Sequence, residues 1–407
     1  MKNFDPKVKT EKSELISLSP VSKFLSVFIS LMLLIPFIWG LTVTDHQARS
    51  KAEKRNLAPF PHFTLSNTKE YFGGLSTYLR DHIGFGLVIN QFYQKTMFNN
   101  FDTVGIENIS KGSDGFVFLT SHNPTKHNVI FSTLCLHNTD PSNVVSSAEK
   151  LNKMVTGAGH RAIFAVPISK PSLYPEKLPS DVSDIAKGAC NSFLKNANFL
   201  TKAKVKLAED KILLHYPVSL FLTHKNDESF YPKTNFHWDG LSAHLFAKSL
   251  FTSLGVDKLR LRSFDDGAKL VTKHTDLTSI GFERTTKVWE FPYQTFGISE
   301  NQRNKLNYIK KYYDRAGDVS YYSTKNPLQN KNAVLISNSF GAFTARHLAV
   351  GYKSLIHINI NHLKPSEQKG LFSHLFALDK KMDIIFLFHD DAMAGHNALD
   401  KMARNIN

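Results

Sequence analysis

The sequence predicts an α/β protein: a mostly parallel sheet flanked by helices, with one N-terminal transmembrane helix. Three observations carry this. A helical pattern runs directly into a short apolar strand near residue 160, the order in which helix-covered sheets are built. Two further continuous apolar runs, Val334–Ile336 and Ile384–Phe388, read as buried strands. Phe24 to Val43 carries no charged residue, and at ~1.5 Å per helical residue it spans the ~30 Å hydrocarbon core.

The elements follow in chain order. Residues 1–23 form a tail with five lysines, Lys2, Lys7, Lys9, Lys12 and Lys23. Residues 24–43 are the membrane span. It is longer than a typical h-region and no small-x-small cleavage site follows, so an uncleaved signal anchor is expected. Arg49, Lys51, Lys54 and Arg55 follow the span closely, and the basic balance favours a cytoplasmic N-terminus only slightly. Residues 44–70 are polar, contain Pro59-Phe60-Pro61, and read as a stalk.

From residue 71 to 407 the pattern is globular. Val88, Ile89, Phe92, Tyr93 and Phe98 suggest an amphipathic helix. Gly112-Ser113-Asp114-Gly115 reads as a turn before the apolar strand Phe116–Leu119. Asp140 is an expected N-cap with Pro141 at the first helical position. Val144, Val145, Ala148, Leu151 and Val155 keep helical spacing, Gly157 is the expected stop, and Ala162–Val166 is the strand. Phe343–Val350 reads as a helix after the strand at 334–336. Residues 256–330 are polar with weak periodicity, an expected insertion, lid or small subdomain.

Net charge is +15. Such an excess suits anionic partners, but the sequence has no long Lys/Arg run, zinc-finger spacing or RNA-binding signature, so nucleic acid is not expected. Cys135 and Cys190 are the only cysteines. They make no zinc site, and no metal or cofactor is expected. A single disulfide and two buried thiols both fit.

Two segments can carry chemistry. In Ala333–Gly341 an apolar strand runs through Ser337-Asn338-Ser339 into a helix. Ser339 then stands at the carboxyl end of a strand and at a helix N-terminus, where ligands bind and a developing oxyanion is favoured. From this segment alone a serine or asparagine merely capping the helix is the stronger reading. In Thr234–Gly240, His237 needs a partner on Nδ1 to serve as a base. Asn235 and Asp239 flank it and either could supply one.

Together these segments resemble the SGNH-hydrolase-like family of alginate O-acetylation proteins. The family's Asp-x-His-Trp corresponds to Asn235-Phe236-His237-Trp238, and its Gly-Asp-Ser-Phe to Ser337-Asn338-Ser339-Phe340. The order, His before Ser, is this family's permuted order. Glu53–Pro61, Lys111–Phe118, Val166–Lys170 and Tyr174–Pro179 resemble further family blocks in the same order, so the resemblance covers roughly residues 50–390.

The resemblance implies an SGNH-hydrolase-like fold and a catalytic set of Ser339, His237 and Asn235, with Asp239 as the alternative carboxylate. It implies O-acetylation of an exopolysaccharide in the periplasm, from a protein anchored in the bacterial inner membrane. It also implies a multi-pass membrane acyltransferase as acetyl supplier. The acceptor would be a polysaccharide, and the basic excess suits an anionic one. Trp238, Lys170 and Tyr174 are candidates for substrate contact. Asn235 stands where the family has Asp, which leaves a non-catalytic glycan-binding scaffold as an alternative expectation; an acetyl esterase is another, should water rather than a sugar take the acetyl group.

Overall fold

In a computed structural model of the chain, the residues described are 19–42, 46, 57–63, 67–82, 84–101, 103–104, 109–119, 140–180, 182, 184–277, 284–300, 319–361, 363–377, 381–394 and 398–406. They fall into two compact units, residues 1–92 and 93–407. The division lies some twenty residues beyond the 70/71 boundary suggested by the sequence.

The first unit holds the helix Pro20–Thr42, with Pro36 inside it, and the helix Thr68–His82. Among described residues this Pro20–Thr42 helix is long and apolar enough to cross a membrane. The described part of the expected stalk is not free chain: the Ala58 N–H donates to Asp81 Oδ2 (2.9 Å), and Phe60 meets Tyr78 edge-on. The family-like block at Glu53–Asn56 lies outside the described residues.

The second unit is built on a seven-stranded sheet. Its strands are β3 (Arg161–Ala165), β4 (Leu214–His215), β7 (Ile298–Glu300), β8 (Val319–Thr324), β9 (Asn332–Ser337), β10 (Ser354–Asn359) and β11 (Asp383–Leu387). The remaining strands form two hairpins, β1 (Ile109–Lys111) with β2 (Val117–Leu119), and β5 (Lys269–His274) with β6 (Thr285–Glu290). The main order is β4-β3-β11-β9-β10-β8-β7. The first five are parallel, and β8 and β7 add antiparallel at one edge.

The central strands are apolar along their length because helices cover both faces. β11 is buried at every residue, and β9 at all but its first. The helix Pro141–Gly157 buries Val144, Ser147, Ala148, Leu151 and Val155, one face at helical spacing. Asp140 caps it, accepting the Ser142 N–H at 2.9 Å, and the helix ends at Gly157 as the sequence suggests. Residues 256–330 join the body of the fold. Their described part supplies β7 and β8 to the main sheet, and the β5–β6 hairpin beside it. Cys190 is disulfide-bonded; Cys135 lies outside the described residues.

Candidate active site

β9 is the central strand, with Leu387 of β11 and Asn359 of β10 in register with its last residue, Ser337. The chain leaves the sheet there, turns through Asn338, and enters the helix Phe340–Ala349 with Ser339 at the N-cap. Ser339 does not cap that helix with its side chain. The capping bond belongs to Asn338, whose Oδ1 accepts the Phe340 N–H at 3.1 Å. The Ser339 hydroxyl is thereby left for another partner.

That partner is His237. Its Nε2 lies 2.8 Å from Ser339 Oγ, across 102 residues of sequence. The imidazole is stacked on Phe343 (centroids 4.7 Å apart) and meets Phe236 and Phe340 edge-on. These rings leave it little rotational freedom. The sequence brings His237 and Ser339 to one site, and the structure joins them directly.

The third member differs from the expectation. His237 Nδ1 faces Asp276 Oδ2 at 2.7 Å; neither Asn235 nor Asp239 holds that place. Asp276 follows β5, in the segment expected to be an insertion, and the His237 loop encloses its carboxylate. The Phe236 N–H donates to Oδ1 (2.9 Å) and the His237 N–H to Oδ2 (2.7 Å). Burial pushes this carboxyl upward, but the hydrogen bond and charge of His237 and the two backbone N–H donors outweigh it. Asp276 is held below the usual carboxylate range. An ionised Asp276 can only accept, so the imidazole proton sits on Nδ1, Nε2 accepts, and the Ser339 hydroxyl donates to it.

Asn235 has a different task. It is buried, its Oδ1 accepts the Asp276 N–H at 3.4 Å, and its backbone carbonyl accepts from Lys170 Nζ at 2.5 Å. Asp239 turns onto the next backbone group, accepting the Gly240 N–H at 2.7 Å, and burial raises its carboxyl. No sequence signal marked Asp276. Its neighbour Thr275 ties the segment down by donating to Thr234 O at 2.6 Å, a contact that only the folded chain creates.

The three substrate-contact candidates are placed elsewhere. Trp238 is fully buried, donates Nε1–H to Phe340 O at 2.9 Å, and packs against Phe221 and Phe246. It is a core ring beneath the site and cannot stack on a sugar. Lys170 is buried and donates to three carbonyls, Val117 O (3.2 Å), Lys233 O (2.7 Å) and Asn235 O. Burial lowers its ammonium to about 7. It braces the His237 loop from below and does not face solvent. Tyr174 is nearly buried and lines a separate cavity of about 250 Å³ with Tyr231 and Lys225.

Ser339 opens on a cavity of about 420 Å³. Asn338, Asn361, Gln368, His389, Lys401 and Asn405 supply its polar lining. Asn338 spends its side-chain carbonyl on the helix, so its amide N–H groups are what it offers the cavity. Among the described residues no acceptor takes the Ser339 N–H, which lies at the positive end of the Phe340–Ala349 helix. His389 Nδ1 accepts the Ala392 N–H at 3.2 Å, so in the neutral ring the proton is on Nε2. Among the described residues no cluster of side chains fits a metal ion.

No family model and no curated protein matches the chain. Among solved structures it is similar to Bacillus cereus PatB1 with a sulfonyl adduct, at 14% identity and a TM-score of 0.46. That likeness covers 72% of this chain and 97% of the other. The O-acetyltransferase domain of Pseudomonas putida AlgJ is similar at 11% identity and a TM-score of 0.41, over 73% and 99%. Pseudomonas aeruginosa AlgX is similar at 13% identity and 0.42, over 74% and 64%. Identities this low leave substrate and mechanism to the chemistry of the site itself.

Proposed function

We propose that this chain is a serine-dependent O-acyltransferase that passes an acetyl group through Ser339 to a hydroxyl of an extracellular polysaccharide. The observation that carries the reading is the continuous relay Asp276–His237–Ser339, with both hydrogen bonds at 2.7–2.8 Å.

Ser339 Oγ attacks the carbonyl carbon of an acetyl donor while its proton moves to His237 Nε2. The ionised Asp276 stabilises the imidazolium. The Ser339 N–H and the Asn338 side-chain amide receive the oxyanion. The donor's leaving group takes the proton from His237, and acetyl-Ser339 remains. A sugar hydroxyl then gives its proton to His237, attacks the acetyl carbon, and leaves as the ester, and Ser339 recovers its proton. The amide-rich cavity suits a polyhydroxylated acceptor, and Lys401 suits an anionic one. In this reading the Pro20–Thr42 helix anchors the enzyme in the inner membrane with its catalytic unit in the periplasm. A multi-pass membrane acyltransferase supplies the acetyl groups.

The test is turnover of a chromogenic acetyl ester by the full-length protein, with and without an oligosaccharide acceptor, followed by mass spectrometry of the acceptor. Acetylated oligosaccharide that disappears in Ser339→Ala supports the reading. Ester turnover without acceptor modification would reassign the protein as an esterase. Equal rates in both proteins would remove the enzyme reading.

A further inference from the structure

The first unit contains a contact that changes what the region after the anchor does. Gly84 packs against the inside of the Pro20–Thr42 helix. Its N–H donates to Pro36 O at 2.7 Å. A Cβ on Gly84 would stand 2.5 Å from Pro36 O, 2.7 Å from Gly40 N and 2.9 Å from Trp39 Cβ. Only glycine permits two backbones to approach so closely. The next residue, Phe85, stacks on Trp39 with ring centroids 5.0 Å apart.

Pro36 stands about 9 Å, roughly two turns, before the end of that helix. From Pro20 to Pro36 the helix rises only about 24 Å, less than the ~30 Å hydrocarbon core. If the helix spans the bilayer, the chain at Gly84–Phe85 is therefore held about 6 Å or less below the acyl–headgroup boundary, within the depth an interfacial apolar face reaches. The helix Gly86–Asn100 starts from that point. Phe85, Ile89 and Phe92 are spaced i, i+4 and i+7, one face of that helix. They are 39%, 58% and 71% exposed, beside Trp39 at 43%. In water this stripe would be an exposed apolar patch; at a bilayer surface it is an in-plane apolar face with an aromatic belt residue beside it.

We propose that the Phe85–Ile89–Phe92 face is seated in the lipid interface, so that residues 84–92 form a membrane-bound collar. The occupant of the face is the bilayer surface. The proposal rests on the reading of Pro20–Thr42 as a membrane anchor.

The experiment uses the full chain in vesicles of phosphatidylethanolamine and phosphatidylglycerol. Single cysteines carrying an environment-sensitive fluorophore are placed at Ile89→Cys and Phe92→Cys, with Phe28→Cys in the anchor and the exposed Lys204→Cys as the aqueous control. Lipids bearing a spin label at a shallow acyl carbon are the quencher. The expected result is loss of most of the emission at 89 and 92, and none at 204. Quenching at 28 with none at 89 and 92 overturns the collar alone. No quenching at 28 overturns the anchor and the collar together. A blue-shifted signal at 89 and 92 that lipid quenchers do not reach gives the face to a protein partner, and overturns the lipid assignment.

Discussion

The Asp276 backbone N–H donates to the side-chain carbonyl of Asn235, and this bond links the residue expected to orient His237 to the one that faces its Nδ1. The carboxylate that faces His237 Nδ1 lies 41 positions along the chain from Asn235. Asn235 positions the acid; Asp276 carries the charge.

The first prediction follows from that division. Asp276→Asn removes the charge that stabilises the imidazolium and frees the wrong tautomer; a loss of roughly 10⁴ in kcat is expected from the equivalent change in the serine-protease template. Asn235→Asp sets a second carboxylate against Asp276 and is expected to lower activity. Steady-state kinetics on both variants checks this. A gain of activity in Asn235→Asp would restore Asn235 to the triad.

Trp238 and Lys170 are predicted to behave as structural residues. Trp238→Ala is expected to cost about 3–5 kcal/mol as a large core truncation. In the protein that stays folded it should leave the acceptor KM unchanged. Lys170→Met leaves the carbonyls of Val117, Lys233 and Asn235 without their shared donor, at about 1–3 kcal/mol for a buried group left unpaired. Urea unfolding with parallel acceptor titrations checks both. A raised acceptor KM at unchanged stability would return either residue to the binding surface.

Residues whose roles are set by local pattern were legible in the sequence. Ser339 stands where an apolar strand meets a short polar turn, His237 stands in a block that resembles the family's, and β3, β9 and β11 announce themselves as apolar runs because both faces are covered. Asp276 was not legible. It follows β5, a strand whose residues are mostly exposed, so no alternation or apolar run marks the hairpin. Only tertiary contacts, of Thr275 to Thr234 and of Asp276 to Asn235 and the His237 loop, bring it to the candidate site. Trp238 failed in the opposite direction: an aromatic next to an active histidine looks the same in sequence whether it faces a sugar or the core.

Gly341 is predicted to be required for activity more than for folding. A Cβ there would collide with Ser337 Oγ and Cβ and lie 2.9 Å from His357 Nε2. Ser337 and His357 are bonded to each other at 2.9 Å beneath the Ser339 turn, and Ser337 Oγ also donates to Asn338 O at 2.7 Å. Gly341→Ala must shift this layer and the Ser339 turn above it. Overpacking of this kind costs about 1–3 kcal/mol, whereas misplacing a nucleophile by ~1 Å costs on the order of 10²-fold in rate. Comparing kcat with Tm for the variant separates the two.

The last prediction concerns pH. Asp390 and Asp391 are adjacent and buried at the head of the short helix Asp390–Ala394. Burial, with the neighbouring Asp390 adding to it, raises Asp391 to about 8. The unfolded chain releases that proton near pH 4, so between about 4 and 8 the folded state holds a proton that the unfolded state has lost. Stability from this group is therefore fully present below about pH 4 and is lost as pH rises toward 8. Asp391→Asn cannot ionise and should escape the loss. Its Tm relative to the parent is expected to climb steadily from pH 4 to pH 8 in differential scanning calorimetry. A constant difference across that range would mean that Asp391 ionises normally and that the pair is solvated.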